Sequence, residues 1–150
     1  MLIREIYTRN VVTARPEETL QEAAKKMWSK NVGAVVVIDE EKVPIGIVTD
    51  RDITIKGVAQ GRDLESTPVK EVMSQDIVVL SQERDLFQTT RIMCEQGIRR
   101  IPVVDGEGRL SGIVSLDDIL MTFGQEMANL AGTIAYRTAI GTAGKKKVVG

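Results

Sequence analysis

The stretch GIVTDRDI, residues 46–53, returns 66 positions later as GIVSLDDI, residues 112–119. In both, a short apolar run ends in a small hydroxyl residue, Thr49 or Ser115, with an aspartate three positions on, Asp52 or Asp118. Outward from this pair the same shift holds without a gap from residues 11–53 against 77–119, and 12 of the 43 aligned pairs are identical. Random pairing at ordinary composition would give about three. The chain is therefore an internal duplication, and its fold must be read as two copies of one unit.

Each copy has the same grammar. In the first, Val11 to Ala14 is a short extended run, and Thr19 followed by Glu22 has the spacing of a capping box. Leu20, Ala23, Ala24, Met27 and Trp28 then fall on one helical stripe. Ala34 to Ile38 and Val43 to Val48 are β-branched runs separated by a polar turn, and a helix starting near Thr49 should last to residues 57–61. The second copy repeats this with strands at 77–80, 101–104 and 110–114, a cap at Asp85 and a helix to about Gln96. The spacing thus predicts an α+β fold of two β-α-β-β-α units, at residues 5–65 and 66–123. A unit of about 60 residues is marginal alone, so the copies should pack on each other.

Residues 124–150 leave the repeat. Met127, Leu130, Ala131, Ile134 and Ala135 form a helical stripe, which suits either a contact with a second chain or a helix covering its own domain. GKKKVVG, residues 144–150, is a basic tail expected to be solvated.

Composition excludes several functions. With 20 Lys and Arg against 21 Asp and Glu, the net charge of -1 favours neither nucleic acid nor an anionic membrane. No window approaches a membrane span, and a single cysteine, Cys94, fits a reducing, cytoplasmic setting. There is no histidine, so His-based triads and His-ligated zinc have no donor. Asp117 and Asp118 are neighbours on a helix and point about 100° apart, so they do not converge as an acid-base or metal pair. No catalytic residue and no metal ligand is expected. Cys94 is expected to be a small buried residue on the stripe that holds Trp28 in the first copy.

The duplicated octapeptide has two physical readings. As a helix start, the hydroxyl accepts from a first-turn amide and the acid favours the positive helix end. As a binding element, the same first-turn amides attract phosphate, glycine permits close backbone approach, and a carboxylate one turn in accepts from the two hydroxyls of a ribose. Both remain open at this level.

The repeat resembles the CBS domain, a module named for cystathionine β-synthase that occurs in tandem as a regulatory pair. The likeness rests on the two octapeptides, on IRRIPVVD at residues 98–105 and on VKEVMS at residues 69–74. It implies two repeats packed as a pseudo-twofold pair with adenosine ligands in clefts between them. The resemblance assigns Ser115 and Asp118 to one cleft with Val12, Thr13 and Ala14 of the opposite copy, and Thr49 and Asp52 to the other with Val78, Val79 and Leu80. Arg99 and Arg100, which precede Asp118 by 19 and 18 residues, are expected as its phosphate clamp, making that cleft the tighter one. The positions 66 earlier are Gly33 and Ala34, so the other cleft should lack it.

By this resemblance the chain is a non-enzymatic sensor of AMP, ADP or ATP, a homodimer forming a flat disc of four copies, and a regulator of a separate effector protein. Two alternatives stand beside it, an S-adenosylmethionine sensor and a dimerisation scaffold whose clefts bind nothing.

Overall fold

The computed structural model describes residues 1–141 and 147–150, apart from the Ile140 side chain. Among the described residues there are two three-stranded sheets. The first has the order β1 (Thr13–Ala14), β2 (Ala34–Ile38) and β3 (Pro44–Thr49), and the second β4 (Leu80–Ser81), β5 (Arg100–Val104) and β6 (Leu110–Ser115). In each, the first pair is parallel and the second antiparallel. The duplication extends to register. Ala14 pairs with Val37 and Leu80 with Val103, and the irregularity after Val37 recurs after Val103.

The helices follow their local signals. α1 (Leu20–Lys30) opens on the predicted capping box, where Thr19 Oγ1 accepts from the Glu22 amide at 3.2 Å and Glu22 accepts from the Thr19 amide at 2.7 Å. α3 (Leu86–Gln96) is capped by Asp85, which accepts from the amides of Phe87 and Gln88. Both end on a left-handed residue at equivalent positions, Asn31 and Gly97. The hydrogen bond from the Thr19 amide holds the exposed Glu22 carboxyl below its ordinary value of 4.5. A depressed carboxylate stabilises the fold above that value, and the gain is lost as pH falls through the folded-state pKa. Glu22→Gln should therefore flatten part of the acid limb of a melting-temperature profile below pH 4.5, measured by thermal unfolding against pH.

The stripes are narrower than their sequence suggests. Leu20, Ala23 and Met27 are buried, whereas Trp28 is 86% exposed and Cys94, its counterpart, is exposed as well. The expectation of a buried Cys94 is corrected: neighbouring residues on a helix point about 100° apart, and only the Met27 and Met93 side faces the sheet. The helix after Thr49 runs as α2 (Asp50–Asp52) and continues as a π-helical turn, Ile53–Val58, an unpredicted widening. The segment that opens the second repeat contains a 3-10 turn, Val69–Glu71, lying against the start of α1.

Two hydrophobic cores form, and the segments that open each repeat cross over to complete the other. Ile3 is fully buried among Leu80, Leu86, Ile101 and Ile119, while Val69 and Val72 join Leu20, Val35 and Val48. Backbone bonds repeat the exchange: the amide of Ile3 donates to Arg84 and that of Val69 to Glu18. Thr8 bridges to Ile113 across β6, and Ser74 bridges to Ile47 across β3. α4 (Leu116–Ile140) packs its first turns on the second core through Leu116, Ile119 and Phe123, then runs clear of the body. Of the basic tail, residues 144–146 lie outside the described residues, as do 142 and 143 before it, and 147–150 are exposed. Among the described residues no helix is long and apolar enough to cross a membrane.

Candidate functional site

The seam between the repeats holds two clefts. Each octapeptide turns from a strand into a helix there, and both helix starts are closed capping boxes. Thr49 Oγ1 accepts from the Asp52 amide at 3.1 Å while Asp52 Oδ2 accepts from the Thr49 amide and hydroxyl, each at 3.0 Å. Ser115 Oγ accepts from the Asp118 amide at 3.1 Å, and Asp118 Oδ2 accepts from the Ser115 amide at 2.9 Å and hydroxyl at 2.7 Å. The helix-start reading of the octapeptide is therefore fulfilled in both copies.

The two aspartates differ in what is left over. Asp52 Oδ1 is held by Lys56 Nζ at 3.0 Å, and Asp52 does not line the cleft beside Thr49. No hydrogen bond or ion pair engages Asp118 Oδ1 among the described residues, and Asp118 lines its cleft together with Ser115. The expectation that Asp52 opens onto the seam is thus corrected: a lysine one turn on, reachable at i, i+4, closes its carboxylate.

The larger cleft encloses about 300 Å³, at the lower end for small-molecule pockets. Thr49 and Ile47 of the first repeat face Ile77 and Val78 of the second, with Ser74 and Asp76 on the crossing segment and Gln96, Ile98, Arg99 and Arg100 at its wall. The smaller cleft, about 150 Å³, joins Ser115, Asp118 and Ile113 to Val11, Val12, Val32, Gly33 and Ala34, with Thr8 and Asn10 from the crossing segment.

Arg100 borders both clefts, but Arg99 borders only the one with Thr49. The expectation that Arg99 lies beside Ser115 and Asp118 is corrected, whereas Arg100 does line their cleft. The loop before β5 faces the helix start of the first repeat, and the loop before β2, with Gly33 and Ala34, faces that of the second. Each cleft is thus assembled from one repeat's helix start and the other's pre-strand loop. Counting residues within a repeat does not see that exchange.

Four other expected residues stand apart. Ala14 and Leu80 are 2% exposed and belong to the two cores, Val79 faces solvent, and Thr13 gives its carbonyl to Lys26 Nζ at 2.8 Å in a separate depression. An extended segment alternates its side chains, so Val12 and Ala14, like Val78 and Leu80, share the face toward a core, where Val12 and Val78 also reach a cleft, while Thr13 and Val79 point the other way. Asp76, Thr8 and Asn10 carry no sequence signal, and Ser74 has one only as part of VKEVMS; the crossing of the opening segments brings these four in, and Gln96 enters from the end of α3.

Charge is uneven at the seam. Arg99 reaches Asp117 at 3.7 Å, an exposed pair of small energetic weight. Half-buried Arg100 has no ion-pair partner among the described residues, and its Nη2 lies 3.5 Å from where a Cβ on Gly33 would stand. Asp50 Oδ2 stands 3.2 Å from that same point, so a carboxylate lies near the guanidinium without pairing with it directly, and a bidentate anion would complete its hydrogen bonding.

The sequence profile of the CBS domain matches the chain twice, at residues 3–56 and 69–124. The chain belongs to the CBS domain family. Its pair of repeats is 43% identical over 117 residues to the CBS domain-containing protein YhcV of Bacillus subtilis, covering 78% of this chain and 81% of that one. An uncharacterized protein of Methanopyrus kandleri is 39% identical over 118 residues, which cover 79% of this chain and 60% of that longer relative. Among solved structures, the CBS domain pair of protein MJ0100, in complex with 5′-methylthioadenosine and S-adenosyl-L-methionine, superposes with a TM-score of 0.76 at 28% identity. It covers 84% of this chain and 98% of that one.

Proposed function

We propose that this CBS domain pair is a regulatory sensor that binds an anionic adenosine ligand of the AMP, ADP or ATP class at the seam between its repeats, without catalysis. The observation that carries the reading is the half-buried, unpaired guanidinium of Arg100, standing where both clefts meet. The solved relative that holds adenosine compounds supports the adenosine part. Arg99 and Arg100 together favour a phosphorylated ligand over the uncharged 5′-methylthioadenosine, because a guanidinium gains most from a bidentate anion. The larger cleft takes the ligand first, its apolar wall of Ile47, Ile77, Val78 and Ile98 receiving the base. A ligand that binds one arrangement of the repeats better than another shifts the balance between them, and a separate effector reads the shift.

A thermal-shift and calorimetric panel of AMP, ADP, ATP, adenosine and S-adenosylmethionine tests this, since a ligand that binds only the folded state raises its stability. Stabilisation by the phosphorylated members is expected. Preference for S-adenosylmethionine would move the reading to that sensor, and no response from any compound at millimolar concentration would leave a scaffold.

The two aspartates give a second test. Asp118→Asn keeps the capping geometry but removes a carboxylate whose Oδ1 is open, and it should weaken ligand binding at its cleft by about 1.5 kcal/mol or more. Asp52→Asn, whose parent is already closed by Lys56, should change ligand binding little. Titration calorimetry on both variants reads the contrast; equal losses would show that the capping boxes, and not the open oxygen, govern the clefts.

A further inference from the structure

α4 is 25 residues long, about 37 Å at 1.5 Å per residue, and only its first turns are covered. Every residue from 124 to 139 is exposed. Yet the apolar stripe does not stop where the body ends. Leu116, Leu120, Phe123, Met127, Leu130 and Ile134 continue one another at alternating steps of four and three, the spacing of a helix–helix seam. Leu116 and Phe123 rest on the second core, and Phe123 stacks on Phe87 with centroids 6.2 Å apart. Beyond them Met127, Leu130 and Ile134 are 65%, 63% and 71% exposed.

The outer segment is also a weak helix former. Gly124 and Gly132 each cost about 1 kcal/mol relative to alanine, and β-branched Thr133, Ile134 and Thr138 lower the propensity further. Its side-chain bonds, such as Gln125 to Asn129 at 3.1 Å, stay within the helix. A segment of this composition needs a covering surface to hold its shape.

We propose that residues 124–140 pair antiparallel with the same segment of a second copy of this chain, with the twofold axis passing at Gly132. Charge decides the occupant and its direction. The outer stretch has only two charged residues, Glu126 beside Met127 and Arg137 one turn past Ile134. An antiparallel pair about Gly132 sets Leu130 against the partner subunit's Ile134, lays Met127 on the stem of the partner subunit's Arg137, and brings Glu126 beside that guanidinium. The twofold repeats each contact. A parallel pair would instead stack the two Arg137 cations in the seam. Gly124, Ala131 and Thr138, at intervals of seven along one flank of the stripe, are small enough for close approach.

Sedimentation equilibrium on the whole chain tests the pairing. The wild type should associate, and Leu130→Glu, which alters an exposed side chain of the monomer, should lose that association at concentrations up to about 0.3 mM, where a modest interface is still occupied. Arg137→Glu should weaken it, and the double variant Glu126→Arg with Arg137→Glu should restore it. A monomeric wild type, or association untouched by Leu130→Glu, overturns the proposal. Failure of the double variant to recover overturns the antiparallel register.

Discussion

Gly112→Ala should cost about 3 kcal/mol of stability, the upper end for forcing atoms into a filled space. A Cβ at this position would stand 1.9 Å from Tyr7 Cδ2, 2.3 Å from Tyr7 Cε2 and 2.9 Å from the Thr8 carbonyl oxygen. An aromatic ring and a backbone atom cannot both retreat, because Thr8 is bridged to Ile113 in both directions by backbone hydrogen bonds. Gly46→Ala at the equivalent site should cost less, about 1 to 2 kcal/mol, since its tightest contacts are Sδ and Cγ of Met73 at 2.4 and 2.9 Å, part of a side chain that can re-pack. Urea denaturation of both variants measures the order. Truncating the ring in Tyr7→Ala with Gly112→Ala should recover part of the loss; an alanine at 112 as stable as wild type would mean the crossing segment is not seated as described. The octapeptide glycines are thus explained by the chain's own crossings rather than by a ligand's approach.

Arg100→Ala should weaken a phosphorylated adenosine ligand by about 1.5 to 3 kcal/mol, roughly ten- to hundredfold, as expected for losing charge-assisted hydrogen bonds. Adenosine itself should be nearly unaffected, since it offers the guanidinium no anion. Arg99→Ala should do less, because Arg99 is mostly exposed and already paired with Asp117. The fold should tolerate Arg100→Ala well, since no direct ion pair of Arg100 is lost among the described residues. Calorimetry with AMP and adenosine on each variant separates these outcomes. Equal loss for both ligands would place Arg100 among the shaping residues of the seam rather than at a phosphate.

The duplication, the order of strands and helices, the capping boxes at Thr19, Thr49 and Ser115, and the apolar stripe of α4 are all written in local sequence. Each depends on contacts within a few residues or on a period along one element, which a single chain displays directly. The pairing of Val12 with Ser115 and Asp118, and of Val78 with Thr49, came with the family resemblance and matches how the clefts are lined.

What the sequence alone determined, then, is the unit and its count. The tertiary structure decided what meets at the seam. Two copies related by a pseudo-twofold exchange their opening segments and their pre-strand loops, so Arg99 turns toward Thr49, Arg100 stands between the two clefts, Gly33 and Ala34 turn toward Ser115, and Tyr7 lies over Gly112. The same assembly sets Lys56 on Asp52 and leaves Asp118 open. None of this has a period or a local signature, because it follows from packing two half-buried sheets against each other, and residues far apart in the chain become neighbours only when that packing is complete.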